Sequence, residues 1–413
     1  MINKIILKYK TLFFYGFVES FGRGLNILLA IVYAIFASFE LYAELIILIS
    51  TEILFLETLL VGQHKYALRY INPNKSNLDH ILGNCLKNVI LNFSIFVLIV
   101  ILLPKSFFIS LFSSDIKSSL IILAIAVMFN SIVSLNLHAL RKVNRIKSYA
   151  QLRILFQLIK FSMCFSLVFL CEKSIAHSYG LLFAGIATII IYSFAFKKLP
   201  ILGLLKNSSV NLQYYKFGFP IMLHAVAGIM YSYLDRYMLN LFSNPKELSV
   251  YSFNLSLGMS PFFIISVMAI YFTPRIYGDR AFNDLAKKYL YKFLLWSLVG
   301  SLSLFFVIAL LIYPIILSFL EPGYAEGKVY FNLSSIIIIL TCFSNYFIYK
   351  ATAMNRVKFV PIATLTSLFI SFNVNYYLIP IYGGIGAISA TILSIFCFNL
   401  LMFIVLYLYD KNN

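Results

Sequence analysis

The chain has 413 residues, of which 61% are hydrophobic and only 12% charged, and its formal net charge is +18. A soluble globular domain carries about 25% charged residues, so this composition argues against a soluble protein and indicates one that lies largely within a membrane. The five cysteines are scattered and show neither metal-ligand spacing nor a pairing pattern. No metal site and no disulfide framework is therefore predicted.

Twelve apolar segments are long enough to cross a bilayer, since about 20 helical residues span about 30 Å of hydrocarbon. They fall, within several residues at each end, at 12–36, 41–62, 85–103, 118–138, 151–171, 178–196, 216–241, 249–273, 290–313, 329–350, 359–379 and 384–408. The first is too long for a signal-peptide core, and no small-residue cleavage site follows it, so we expect it to stay as a helix. The connections are short, which argues against an attached catalytic or nucleotide-binding domain.

Basic residues lie mostly in every second connection. Of the 33 lysines and arginines, 25 fall in the N-terminus, in 63–87, 139–153, 197–216, 275–292 and 350–358, and in the C-terminus. The intervening loops hold only Lys105, Lys117, Lys173, Lys246 and Lys328. Because Lys and Arg are retained on the cytoplasmic side during insertion, both termini are predicted to be cytoplasmic. The net charge is thus explained by topology and attraction to anionic lipids, and no nucleic-acid partner is expected.

Two short motifs recur at about half the chain length. Asn144-Arg145-Ile146-Lys147 follows the fourth span and Asn355-Arg356-Val357-Lys358 follows the tenth, at an offset of 211 residues. A second pair, beginning at Tyr179-Gly180 and Tyr382-Gly383, opens the sixth and twelfth spans. We therefore predict an all-α integral membrane protein of about 12 transmembrane helices in two six-helix bundles, residues 1–200 and 201–413. Such parallel repeats are related by a pseudo-two-fold axis along the membrane normal.

Ionisable groups inside the predicted spans each cost roughly 2.5–3.5 kcal/mol to insert, so they face protein or water rather than lipid. They are Glu19, Arg23, Glu52, Glu57, Lys160, Asp235 and Arg236. Three spans carry polar stripes at helical spacing, namely Glu19, Arg23 and Asn26; Arg153, Gln157 and Lys160; and His224, Gly228, Tyr231 and Asp235. Such stripes indicate a wet cavity. Glu19 can pair with Arg23 in the first stripe, whereas Glu52 and Glu57 lie about 140° apart and cannot share one.

Several further segments carry a family resemblance. They are Phe217-Gly218-Phe219-Pro220 through Asp235-Arg236-Tyr237-Met238-Leu239, Val250-Tyr251-Ser252, Leu140-Arg141 through Tyr149-Ala150, and Ile379-Pro380-Ile381-Tyr382-Gly383-Gly384-Ile385-Gly386-Ala387. In order and spacing, over essentially the whole chain, they resemble Wzx-type polysaccharide flippases. The motifs are degenerate, and related multidrug/oligosaccharidyl-lipid/polysaccharide exporters share the architecture. The resemblance implies two bundles around a central cavity that opens alternately to each side of the bacterial cytoplasmic membrane.

The implied substrate is an oligosaccharide on an isoprenoid pyrophosphate, such as an O-antigen, lipopolysaccharide or capsule precursor, flipped from the inner to the outer leaflet. Fixed cations replace solvation that the pyrophosphate loses, and Arg matches phosphate oxygens with a planar fork. The expected substrate-binding residues are Arg23, Lys160, Arg236, Gln157, Tyr231 and Asn26. The candidates for carrying a coupling proton or sodium ion are Glu19, Glu52, Glu57, Asp235 and His224. For each of these the alternative is charge balance or a structural bond.

Two other functions stay open. A cation-coupled drug exporter of the MATE type would share the fold but favours an acidic cavity, whereas here three embedded bases face four acids. A membrane polysaccharide polymerase or acyltransferase would be an enzyme. No catalytic constellation is found, and the absence of a GxxxxGK[ST] motif argues against ATP hydrolysis, so no enzymatic activity and no cofactor is expected. The expected partners are the lipid-linked substrate, membrane lipids, the coupling ion and other polysaccharide-assembly proteins.

Overall fold

The computed structural model describes residues 2–71, 78–104, 117–143, 145–196, 209–276, 284–354 and 356–411. Within these ranges the chain is almost entirely helical and contains no β-strand. The main helices are α1 Ile2–Phe36, α2 Phe39–Leu60, α3 Gln63–Tyr70, α4 Leu78–Leu102, α5 Lys117–Lys142, α6 Ile146–Cys171, α7 Ile175–Phe196, α8 Leu212–Phe242, α9 Pro245–Gly258, α10 Phe262–Ile276, α11 Asp284–Val307, α12 Tyr313–Leu317, α13 Lys328–Ala353 and α14 Phe359–Lys411. A π-helix, Ile308–Ile312, joins α11 to α12, and a 3₁₀-helix, Pro322–Gly327, precedes α13. Asn144 and Asn355 of the repeated motif lie outside the described residues.

The predicted class, an all-α protein that crosses the membrane many times, is confirmed. Among the described residues, nine helices are long and apolar enough to cross a bilayer, or up to 11 if each of two bent helix pairs forms one span. The count of twelve and the cytoplasmic position of both termini stay predictions. The longest helix, α14, covers both the eleventh and the twelfth predicted spans, and at about 1.5 Å per residue it is far longer than one crossing needs.

Local sequence explains where the helices break. Val61 and Gly62 both have positive φ, +41° and +67°, which ends α2 and turns the chain by 52° into α3. Pro261 cannot donate a backbone hydrogen bond, and at this position α9 and α10 meet at 40°. Gly383 interrupts α14 with φ +53° and ψ −129°, a conformation that favours glycine. This break falls at the predicted boundary between the last two spans.

The described contacts divide the chain into two compact units. The N-terminal unit is Phe17–Ile229, and the C-terminal unit consists of Met1–Gly16 and Met230–Asn413. The predicted division into residues 1–200 and 201–413 stays a prediction. Helix α8 contributes its first part to the N-terminal unit and its second part to the C-terminal unit.

Three asparagines on α4 hold the start of α8 within the N-terminal unit. Asn84 accepts a hydrogen bond from Ser209 N at 2.8 Å, and Asn88 accepts one from Asn211 N at 3.3 Å. Asn92 accepts one from the Tyr215 hydroxyl at 2.7 Å. Because the three follow one another at intervals of four, they share one helical face. This ladder ties the backbone before α8 to α4 and gives two of its N–H groups hydrogen-bond partners.

Candidate functional site

The predicted acid Glu19, on α1, is held by two side chains of α6. Arg153 Nη2 lies 3.1 Å from Glu19 Oε2, and the Tyr149 hydroxyl donates a short hydrogen bond to Glu19 Oε1. The glycine at position 22 makes this approach possible, because a Cβ there would lie 3.3 Å from both Arg153 Nε and Gln157 Cγ. Glu19 is thus tied to α6 by charge and by close helix packing.

A second ion pair joins α2 to α6. Lys160 Nζ lies 2.7 Å from Glu52 Oε1, and each side chain is only 11% exposed. On the other side of the carboxylate, His177 Nε2 of α7 lies 3.7 Å from Glu52 Oε2, and His177 Nδ1 bonds the Tyr33 hydroxyl of α1 at 3.0 Å. The Glu52 carboxylate of α2 thus meets side chains of α6 and α7, and His177 extends this contact to α1.

The remaining predicted residues of the N-terminal unit differ in burial. Arg23 and Asn26 of α1 are exposed on the protein surface, whereas Gln157 is 4% exposed. Glu57 Oε2 lies 3.9 Å from His64 Nε2. Glu57 and Glu52 therefore have different partners, as expected for two side chains about 140° apart around α2. His224 on α8 is exposed.

In the C-terminal unit, Asp235 is buried and its carboxylate is fully engaged. One oxygen accepts a hydrogen bond from the backbone N–H of Arg236 at 2.8 Å, and the other accepts a short bond from the Tyr251 hydroxyl of α9. The Arg236 guanidinium donates to Ser256 Oγ at 3.2 Å and lies over the Tyr233 ring, 4.7 Å from its centroid. The two neighbours in sequence thus make separate contacts, as their ~100° separation on a helix predicts.

A cavity of about 460 Å³ opens beside these residues, and all of its lining comes from the C-terminal unit. It is lined by Tyr231, Ser232, Tyr233, Asp235, Arg236, Leu255, Met259, Phe262, Ile337, Thr341, Ser344, Asn345, Ile348, Thr364, Ser367, Thr391, Ile395 and Phe398. Eleven of these 18 side chains carry a polar group, although most of the surface exposed to the cavity is apolar. Tyr231 is fixed by Ser394, whose Oγ lies 3.4 Å from the tyrosine hydroxyl. This size falls within the roughly 300–1,000 Å³ typical of small-molecule sites.

The structure brings together only some of the predicted residues. Glu52 meets Lys160, and Tyr231, Asp235 and Arg236 share one cavity. Arg153 belongs to the predicted stripe on the fifth span, but its role as the partner of Glu19 is not predictable from that stripe. Nothing in the sequence marks His177, or the hydroxyl groups that line the cavity. Among the described residues, no group of three or more His, Cys, Asp and Glu side chains could hold a metal ion.

A family model described as "Polysaccharide biosynthesis protein" matches residues 9–276. The chain belongs to this family. The match covers the N-terminal unit and continues through α8, α9 and α10, so it includes both ion pairs and the Asp235–Arg236 end of the cavity. No curated protein sequence matches the chain significantly.

Solved structures of membrane transporters have the same fold. A lipid II flippase, MurJ, in an inward closed conformation has a TM-score of 0.71 and 16% identity, over 95% of this chain and 87% of that one. A multidrug resistance MATE family transporter of the MOP superfamily matches in its inward-facing conformation, with a TM-score of 0.70 and 14% identity over 94% and 95%. A MATE transporter in an outward-facing conformation has a TM-score of 0.67 and 15% identity over 97% and 95%. The resemblance to a flippase of this architecture is thereby supported at the level of family and fold.

Proposed function

We propose that the protein is a flippase that moves oligosaccharide units linked to an isoprenoid pyrophosphate from the inner to the outer leaflet of a bacterial cytoplasmic membrane. The observation that carries this proposal is the family match, since polysaccharide biosynthesis requires that such units cross the membrane. The fold, which is also that of a lipid II flippase and of MATE transporters, suits alternating access. The chain acts as a transporter and not as an enzyme.

The embedded cations have the chemistry that a pyrophosphate needs. Arg23 is exposed on α1 next to Gly22 and Gly24, and an arginine fork matches phosphate oxygens bidentately. Lys160 carries a compact positive charge, but its Nζ is already paired with Glu52 Oε1 at 2.7 Å, so a phosphate would compete with Glu52 for it. Arg23 therefore supplies the first contact, and Lys160 joins when Glu52 exchanges it for a coupling proton or sodium ion. Arg236 is the embedded cation of the C-terminal unit, but it shares its cavity with Asp235 and is therefore a weaker candidate for the pyrophosphate.

The first test is a lipid extraction from cells that lack the gene. Complete oligosaccharide units on isoprenoid pyrophosphate should accumulate while the surface polymer disappears, because synthesis continues and translocation does not. Unchanged lipid-linked sugars would refute the flippase. Single unpolymerised units on the cell surface would point to a polymerase instead.

A drug exporter is the second candidate, because MATE transporters share the fold. Their cationic cargo would favour unpaired acids, but Glu19, Glu52 and Asp235 are each held by an arginine, a lysine or a tyrosine. The electrostatics therefore favour an anionic substrate. If deletion leaves lipid-linked sugars unchanged and makes the cells drug-sensitive, the exporter is correct.

Arg23 offers a sharper test of substrate contact. Arg23→Ala should reduce surface polysaccharide without lowering the amount of protein in the membrane, and Arg23→Lys should be as damaging if the bidentate fork matters. Lys246→Ala is the matched control, because it also removes one positive charge but from an exposed pair with Glu326. Full activity of Arg23→Ala would remove this residue from the substrate path.

A further inference from the structure

The cavity of the C-terminal unit has room for one part of the proposed substrate. We propose that it is a subsite for an uncharged sugar residue of the transported oligosaccharide, and this proposal rests on the proposed flippase function. The cavity holds about 460 Å³, a volume suited to a small polar ligand rather than to a whole lipid-linked unit.

Three threonine hydroxyls in the lining can act only as hydrogen-bond acceptors towards a ligand. Thr341, Thr364 and Thr391 each donate their hydroxyl proton to the backbone carbonyl four residues earlier, at 2.6, 2.9 and 3.1 Å. A hydroxyl has one proton and two lone pairs, so these three groups can only accept from a ligand. A ligand that donates several hydrogen bonds, as a sugar does, matches such a lining.

A buried hydroxyl in the lining also lacks a partner within the described part of the chain. Ser367 lines the cavity, is 0% exposed, and its Oγ has no hydrogen-bond partner among the described residues. Arg236, on the facing helix α8, likewise has a buried Nε that makes no hydrogen bond within the described chain. Leaving such groups unpaired costs about 1–3 kcal/mol each, which a polar ligand would remove. Ser367 Oγ and Arg236 Nε can each donate a hydrogen bond, so a matching ligand must also accept hydrogen bonds. Sugar hydroxyls both donate and accept them.

Charge also favours a neutral ligand. Among the described residues that line the cavity, Asp235 and Arg236 are the only ones with acidic or basic side chains, and these are of opposite type. A pyrophosphate only accepts hydrogen bonds and carries negative charge, so the accepting threonines and Asp235 disfavour it. A cationic drug would suit the threonines but would be repelled by Arg236. An uncharged polyol meets neither penalty, and the rings of Tyr231 and Phe262 supply flat apolar surface for its C–H faces.

The test uses the purified full-length chain in lipid nanodiscs, whose thermal unfolding midpoint rises when a ligand binds the folded state. The probes are glucose, galactose, N-acetylglucosamine and N-acetylgalactosamine, with inorganic pyrophosphate and tetraphenylphosphonium as the anionic and cationic comparisons. At least one neutral sugar should raise the midpoint. Thr364→Val should raise the sugar concentration needed for half of this shift about fivefold, the effect of one lost hydrogen bond.

The control is Thr366→Val, two residues away. Thr366 makes the same bond to the carbonyl four residues earlier, at 3.0 Å, but it is exposed and does not line the cavity. Ser367→Ala provides a second variant that should fold at least as well as the parent, since it removes an unpaired buried hydroxyl, yet should bind sugar more weakly. Equal sugar dependence of Thr364→Val and Thr366→Val would overturn the subsite. So would stabilisation by pyrophosphate or tetraphenylphosphonium but by none of the sugars.

Failure of the subsite and failure of the flippase are distinguishable. If cells lacking the gene accumulate lipid-linked units but sugars leave the unfolding midpoint unchanged, the flippase stands and the subsite is wrong. If sugars bind and the binding depends on Thr364 while the lipid-linked units are unchanged in those cells, the subsite stands and the flippase is wrong.

Discussion

The ion pair between Glu52 and Lys160 should show strong coupling in a double-mutant cycle. Its atoms are 2.7 Å apart and each side chain is 11% exposed, so both charges are largely removed from solvent. Removing one member of a buried pair leaves an uncompensated charge, which costs about 3–5 kcal/mol. Replacing both members leaves no charge to compensate and is often close to neutral.

The structure sets an order among the single variants. Lys160→Met leaves Glu52 facing His177, whose Nε2 lies 3.7 Å from the second carboxylate oxygen, so part of the compensation can remain. Glu52→Gln leaves Lys160 without that carboxylate. We therefore expect Glu52→Gln to lower the free energy of unfolding by the upper part of the 3–5 kcal/mol range and Lys160→Met by the lower part. The double variant should lie within about 1–2 kcal/mol of the parent, which gives a large coupling energy.

The assay is denaturant unfolding of the purified protein in detergent, measured for the parent, both single variants and the double variant. The exposed pair Lys246–Glu326 is the matched control, because its atoms are 2.9 Å apart but its side chains are 48% and 66% exposed. The same cycle there should give at most about 1 kcal/mol. A coupling energy at Glu52 and Lys160 no larger than that of the control would mean that the pair is not shielded from solvent and would refute this prediction.

Two further predictions concern the backbone. Gly383→Ala should destabilise the protein by at least about 1–3 kcal/mol, because φ is +53° and a Cβ would meet the Glu247 carboxylate. Gly24→Ala is the control and should leave the stability unchanged, because a Cβ there would have nothing within 4 Å. Equal unfolding midpoints for the two variants would contradict the prediction. Asn88→Leu should cost about 1–3 kcal/mol, because it removes the hydrogen bonds that this fully buried side chain makes to Asn211 N and Gln63 Oε1. An equal loss in Asn373→Leu, at a partly exposed position, would refute the role of the asparagine ladder.

Much of the helical architecture could be predicted from the sequence, because a membrane leaves the backbone few ways to satisfy its hydrogen bonds. Each long apolar run in the described residues forms a helix, and the ends of α13 agree closely with the predicted span 329–350. The short helix α3 could not be predicted in the same way. It depends on the positive φ of Val61 and on the close approach of Gly62 to Gly218, 2.7 Å from a Cβ built at Gly62.

The partners of the embedded charges were less predictable. Helical periodicity places Arg153 and Lys160 on one face of α6. It does not predict which helix packs against that face, or the register in which the two helices pack. The pairing of Lys160 with Glu52, and of Arg153 with Glu19, depends on that register. The hydroxyl groups that line the cavity could not be identified from the sequence for a different reason. A threonine within a span commonly bonds its own helix backbone, so its presence in a sequence does not mark a site.

The side chains that bind Glu19, Glu52 and Asp235 differ, and this difference ranks the three acids as candidates for ion coupling. Glu52 is held by Lys160 across helices, and Glu19 is held by Arg153 in the same way. In the proposed flippase, a coupling cation would displace one of these basic side chains, which would then be available to bind the pyrophosphate. Asp235 is held by the Tyr251 hydroxyl and by the N–H of its own neighbour, and neither is a cation that a substrate could attract away. Glu52, with Lys160 at 2.7 Å, is therefore the stronger candidate for coupling, and Asp235 is better explained as a support for Arg236.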